Sequence, residues 1–167
     1  MALTVETGAG LADADSYLSL ADARTYAQNY GYSLSDDDTE AEVQLRKAAV
    51  YVDNHPFKGE RKTSTQALDW PRVNVYCNGN LVDSDSVPQA VQRAQVIYAS
   101  SINDGVIVRG NDNGKEIKLE EVSNAVKREF FETNRNGSTV TVTEAEDMLS
   151  CLLDGSANGL TFNVVRV

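Results

Sequence analysis

The stretch Phe57–Arg72, FKGERKTSTQALDWPR, constrains this chain more than any other. It holds the only Trp and one of the three Pro. Leu68 and Trp70 alternate with polar neighbours, the period of an extended segment with one buried face. Pro71 disfavours the α region at Trp70 and has its own φ locked just ahead of Arg72. A polar, basic run from Lys58 to Gln66 precedes this anchor, with Gly59 placed for a turn at positive φ. Two readings follow. In one, Trp70 plugs a core and the loop is a connector. In the other, Phe57 and Trp70 anchor the loop to a helix bundle while Lys58 to Thr65 projects for use.

The elements around this loop are helical. Ser19 is a good N-cap with Asp22 three residues on, and a first helix is expected over Leu20–Tyr30. Ala23, Tyr26, Ala27 and Tyr30 share its apolar face, and Gly31 sits where a closing glycine belongs. The acids of Ser35–Glu40 lack the Gly and the closing Glu of a calcium loop, and read as a charged helix start. A second helix follows from about Thr39 to Asn54, with Ala41, Leu45, Ala48, Ala49 and Val52 as its buried stripe and Val43 and Tyr51 beside it. Asn78-Gly79 between apolar pairs signals a hairpin. Pro88 suits the first turn of a third helix reaching Asn103, capped by Ser86 or Val87. Its faces carry Val91, Ala94, Tyr98 and Ile102, flanked by Ala90, Ile97 and Ser101.

Beyond this helix the signals weaken. Residues 115–131 fit either a helix or short strands broken near Ser123-Asn124. Val140-Thr141-Val142 is strand-like. Thr143 with Glu146 opens a short helix to about Leu153, with Met148, Leu149, Leu152 and Leu153 apolar. Leu160, Phe162, Val164 and Val165 form an extended tail that needs a strand partner, in its own domain or on a neighbour. The whole reads as one domain, residues 1–167, with an extended arm over 1–15 ending in a flexible glycine turn and an extended tail over 156–167.

Charge narrows the function. The net charge is −10, and residues 1–45 carry Arg24 alone against nine acids. The basic residues Arg46, Lys47, Lys58, Arg61, Lys62 and Arg72 cluster in 46–72, against Asp53, Glu60 and Asp69. Tight binding of nucleic acid needs a larger basic footprint. No apolar run approaches the roughly 20 residues of a membrane span, and the N-terminus lacks the pattern of a signal peptide. His55, the only His, reads as a helix-end residue rather than a catalyst. Gly8-Ala9-Gly10 is no phosphate loop, and Asp83 and Asp85 read as solvated rather than metal ligands. Cys77 and Cys151 read as separate thiols in a reducing compartment. No catalytic residue, cofactor or metal is expected.

The order of motifs resembles a family of small tailed-bacteriophage proteins. Val5, Glu6, Gly8, Gly10, Ala14, Ser16, Tyr17, Ala21, Ala23 and Tyr26 match its opening. Ala48, Tyr51, Val52, Asp53, Phe57, Gly59, Arg61, Gln66, Leu68, Trp70, Pro71 and Arg72 match its central signature. Val87-Pro88 opening an Ala-containing helix fits as well; beyond residue 105 only the layout agrees. The family carries two labels. One is head–tail connector, or adaptor. The other is DnaT-like single-stranded-DNA-binding protein. The resemblance implies a mainly α fold with β elements: a small helical bundle of head–tail connector type with β-hairpins and extended termini. It favours strands over 115–131. It implies a structural virion protein, assembled in the host cytoplasm and placed in the neck. There it forms a homo-oligomeric ring, dodecameric in this reading, between portal and a downstream tail or neck protein, with genomic DNA passing through the lumen. The expected interface residues are Lys58, Arg61, Lys62, Arg72, Leu160, Phe162 and Val164. The alternative is a replication accessory protein that binds single-stranded DNA. The acid balance and the helix-core spacing of most aromatics favour the connector, since unspecific strand binding wants a basic groove interleaved with aromatic platforms.

Overall fold

A computed structural model describes residues 2–105, 117–123, 125–130 and 143–155. It is mainly helical with small antiparallel hairpins, the fold class expected. Helix α1 (Leu20–Tyr30) starts on Ser19, whose side chain accepts from the Asp22 N–H, and ends on Gly31 at φ 79°. Helix α2 (Asp38–Asp53) starts on Asp37, which accepts from the Glu40 N–H. The acid run is therefore a helix start. Helix α3 (Gln89–Asn103) follows Pro88, which occupies the cap position itself; neither Ser86 nor Val87 caps, and no side chain does. Helix α4 (Thr143–Leu149) runs into a 3-10 turn, Ser150–Leu152. Among the described residues no helix is long and apolar enough to cross a membrane.

The strands are short. β1 (Glu60–Arg61) pairs antiparallel with β2 (Arg72–Val73), closing the base of the Trp loop. β3 (Tyr76–Cys77) and β4 (Asn80–Leu81) form the expected hairpin, with Asn78 and Gly79 both at positive φ. That is the backbone an Asn-Gly pair adopts most readily between twisted strands. β5 (Ile117–Ser123) and β6 (Ala125–Phe130) pair antiparallel, so this region is strand rather than helix.

The core is built on α3. The stripe Ala41, Leu45, Ala48, Ala49 and Val52 of α2 is fully buried as expected, and all of it but Ala41 packs in one cluster with Val91, Ala94 and Tyr98. Helix α3 is buried more widely than its apolar pattern shows, because Gln95 and Ser100 are inside too. Gln95 is fully enclosed. Its Oε1 accepts from Tyr17 N at 2.9 Å, and its Nε2 donates to Ser16 Oγ and to Leu45 O, each at 2.9 Å. One amide thereby joins the N-terminal segment, α2 and α3. On α1, Ala23 and Ala27 are buried, but Tyr30 is 58% exposed and lies off the core face.

The N-terminal segment doubles back on itself: Val5 bridges Ser16, Glu6 N donates to Ser16 O, and Asp15 N to Thr4 O. The reading of two separate thiols is overturned. Cys77 and Cys151 are a disulfide with Cα atoms 5.4 Å apart. Tertiary contacts bring them together: Lys58 N donates to Leu152 O and Asp154 N to Pro56 O, which sets the 3-10 turn beside the hairpin.

The disulfide spans a separation of 74 residues, so chain-entropy arguments assign it roughly 4 kcal/mol. Unfolding without reductant should expose no free thiol. Cys151→Ser should lower the denaturation midpoint by a few kcal/mol equivalent, and reductant should lower that of the unaltered chain similarly. Leu45→Ala, at a fully buried site, should cost about 2–5 kcal/mol in the same measurement.

Candidate functional site

The Trp loop is anchored as its pattern requires. Trp70 is fully buried, and Gln66, Leu68 and Trp70 alternate inward. Phe57 meets the Trp70 ring edge-on, centroids 5.5 Å apart. The Trp70–Pro71 peptide bond is cis. Trp70 N donates to Tyr17 Oη at 3.2 Å, and the Tyr17 hydroxyl donates to Asp53 Oδ1 at the end of α2. Burial pushes the Asp53 carboxyl up to about 6, against the pull of the Tyr17 hydrogen bond. Burial first, and then the Asp53 charge, push the Tyr17 phenol far up as well.

Arg72 is a clamp. Its guanidinium, nearly buried, donates from Nε to Lys58 O and from Nη2 to Gly59 O, both at 2.8 Å, and from Nη2 to Phe57 O at 3.3 Å. A planar fork of fixed donors suits three carbonyls on one turn of chain in a way an ammonium does not. Gly59 makes that turn possible: it has φ 69°, and a Cβ there would lie 2.1 Å from Val73 O.

The remaining loop cations are also engaged inside the domain. Arg61 pairs with Asp69 at 2.5 Å, Lys62 Nζ donates to Gly8 O at 2.8 Å and pairs with Asp85, and Lys58 Nζ donates to Cys151 O at 2.8 Å. Ala67 N donates to Leu11 O. The segment Lys58 to Thr65 is laid against the domain rather than projecting from it. The structure thus brings Lys58, Arg61, Lys62 and Arg72 together; Leu160, Phe162 and Val164 lie outside the described residues, as does the pairing of the tail.

What holds the loop's far side is a residue whose role the sequence reading missed. Glu6 is 2% exposed. Its Oε1 accepts from Gly8 N and Gly10 N, and its Oε2 from Leu11 N, at 2.7 to 3.0 Å. The two glycines, at φ 101° and 77°, turn three nearby N–H groups toward one carboxylate. A Cβ on Gly8 would meet Asp85 O at 2.1 Å. The turn is a rigid nest under the loop. An acid two residues ahead of Gly-x-Gly was its only sequence signal.

His55 is spent on structure. Its Nδ1 lies 3.0 Å from Tyr51 O and 3.1 Å from Val52 O at the end of α2, and its Nε2 lies 3.2 Å from Tyr98 Oη. Among the described residues no three His, Cys, Asp or Glu side chains gather in a group able to hold a metal. The arrangement presents a braced surface.

Asp53 gives this bracing a pH dependence. Folded, it keeps its proton to about pH 6; its ordinary value is 3.8. Between those values the folded chain binds more protons than the unfolded chain, so stability falls as pH rises through the window and levels off above it. The drop should be on the order of 2–3 kcal/mol. Asp53→Asn should flatten that slope in urea titrations run from pH 4 to pH 7. A second test concerns the clamp: Arg72→Lys should cost at least about 1–3 kcal/mol, because buried carbonyls lose their donors.

No curated protein and no solved structure matches the chain. A family's sequence model does match, and over residues 1–167. Its description carries the DNA-binding label and does not name a connector. The match covers the arm, the Trp loop and every described helix together, and on it the chain belongs to the family described as "Putative DnaT-like ssDNA binding protein".

Proposed function

We propose that the chain is a structural assembly subunit of head–tail connector type. In this reading copies form a ring in the neck of a tailed-phage virion, between portal and a downstream tail protein, and genomic DNA passes through without being gripped. One observation carries the reading: the loop cations that could form a phosphate-binding stripe are engaged by the chain's own carboxylates and carbonyls. What is left at the surface is the balance of a chain with net charge −10. Large rings likewise sit on Trp70, Tyr17 and Tyr98 inside the core. A lumen lined by such a surface repels phosphate, and that suits passage rather than binding.

The family's description favours a second reading, a single-strand binder. The residues best placed for it are Tyr30, exposed, and Arg93, whose guanidinium lies 5.9 Å from the Tyr30 ring centroid. Exposed rings with adjacent cations are what sequence-tolerant strand binding uses.

Two measurements separate the readings. Size determination with and without portal should show a portal-dependent or concentration-dependent ring. Fluorescence anisotropy with a labelled single-stranded oligonucleotide should show no binding at physiological salt. Sub-micromolar affinity with a steep salt dependence would overturn the connector reading in favour of the strand binder.

A further inference from the structure

The five arginines of residues 2–105 divide sharply. Arg24 reaches Asp38, Arg46 reaches Asp15, and Arg61 and Arg72 reach Asp69. Arg93, on α3, reaches no carboxylate and makes no hydrogen bond among the described residues. It is nevertheless held in place. Its guanidinium carbon lies 5.6 Å from the Tyr26 ring centroid and 5.9 Å from that of Tyr30, and these two rings are themselves 4.4 Å apart. Such stacking positions a guanidinium without consuming its donors.

Arg93 lines a cleft of about 400 Å³ between the N-terminal segment, α1 and α3, with Val5, Tyr17, Asp22, Tyr26 and Gln92. Two polar atoms beside it are shut off from solvent with no hydrogen-bond partner, Arg93 Nε and Tyr26 Oη. The first can only donate, and the second can donate, so what the cleft lacks is an acceptor. The acids at the cleft are engaged elsewhere. Glu6 accepts three backbone N–H groups of the nest, and Asp22 accepts from Ser19 Oγ at 2.6 Å. The first turn of α3 contains no acid.

We infer that this cleft docks a carboxylate of a second copy of the chain, which forks onto Arg93. The inference rests on the assembly reading and names its contact. Charge complementarity selects the occupant: the chain carries 25 acids against 15 Lys and Arg, and carboxylates such as Asp13 and Asp36 are exposed. A carboxylate meeting a stacked arginine gives a two-point, oriented contact. A contact between different patches of neighbouring copies is what a ring needs, since such head-to-tail contacts close by rotation.

Sedimentation velocity over a concentration series tests this on the full chain. Arg93→Ala should raise the association midpoint at least about tenfold (about 1.4 kcal/mol), with the thermal midpoint of the dilute monomer unchanged. Gln92→Glu leaves the Arg93 stacking intact and places a repelling charge in the cleft. It should weaken association as well, and decides the matter if Arg93→Ala fails to fold. Both variants associating at the unaltered concentration would overturn the inference and leave the connector reading standing. A wild-type chain that stays monomeric alone yet joins portal would do the same. Binding of a single-stranded oligonucleotide that is lost in both variants would overturn the inference and the connector reading together, and give the cleft to DNA.

Discussion

Trp70 is held at its backbone and at its ring, and much of the fold is arranged to hold it. Its backbone N–H meets the Tyr17 hydroxyl, which meets Asp53 at the end of α2, while Phe57 closes the ring's edge. The N-terminal segment, α2 and the loop are tied at one point. A buried polar chain of this kind is stabilising only when every member is satisfied. The raised carboxyl of Asp53 shows the strain of keeping a charge there. The same economy recurs at Gln95, where one buried amide serves three segments.

The loop shows how a basic sequence can give a surface that is not basic. Each cation of the loop is drawn to an oxygen close by in space, although most of those oxygens are distant in sequence. Lys62 reaches back to Gly8 and forward to Asp85, and Lys58 reaches Cys151. Arg72 meets carbonyls more than carboxylates, so its charge serves the turn it encloses. A family description of strand binding and a chain of this electrostatic character pull in different directions. Arg93, stacked and without an ion pair among the described residues, is the place where they meet, because either a carboxylate or a nucleotide could use a presented guanidinium.

Local rules carried the helices far. Ser19, Gly31, the stripe Ala41 to Val52 and the Asn78-Gly79 turn are read from residues within a few positions of one another, and each holds. The α3 start differs because Pro88 takes the cap position itself, leaving Ser86 and Val87 outside. Tyr30 differs because helical spacing places a residue on a face without saying how far the packed neighbour extends.

The sequence by itself determined the helix order, the buried stripe of α2, the hairpin and the anchoring of Phe57 and Trp70, since capping, periodicity and turn chemistry act over a few residues. Only the tertiary structure decided the Glu6 nest, the Gln95 hub, the Cys77–Cys151 bridge and the engagement of the loop cations. Each of these depends on which distant segment lies alongside, and a polar side chain carries no periodic mark of its future partner. Arg93 reads in sequence like any other arginine on an exposed flank. It stands apart only once the fold has stacked it on Tyr26 and Tyr30 and given carboxylates to Arg24, Arg46, Arg61 and Arg72.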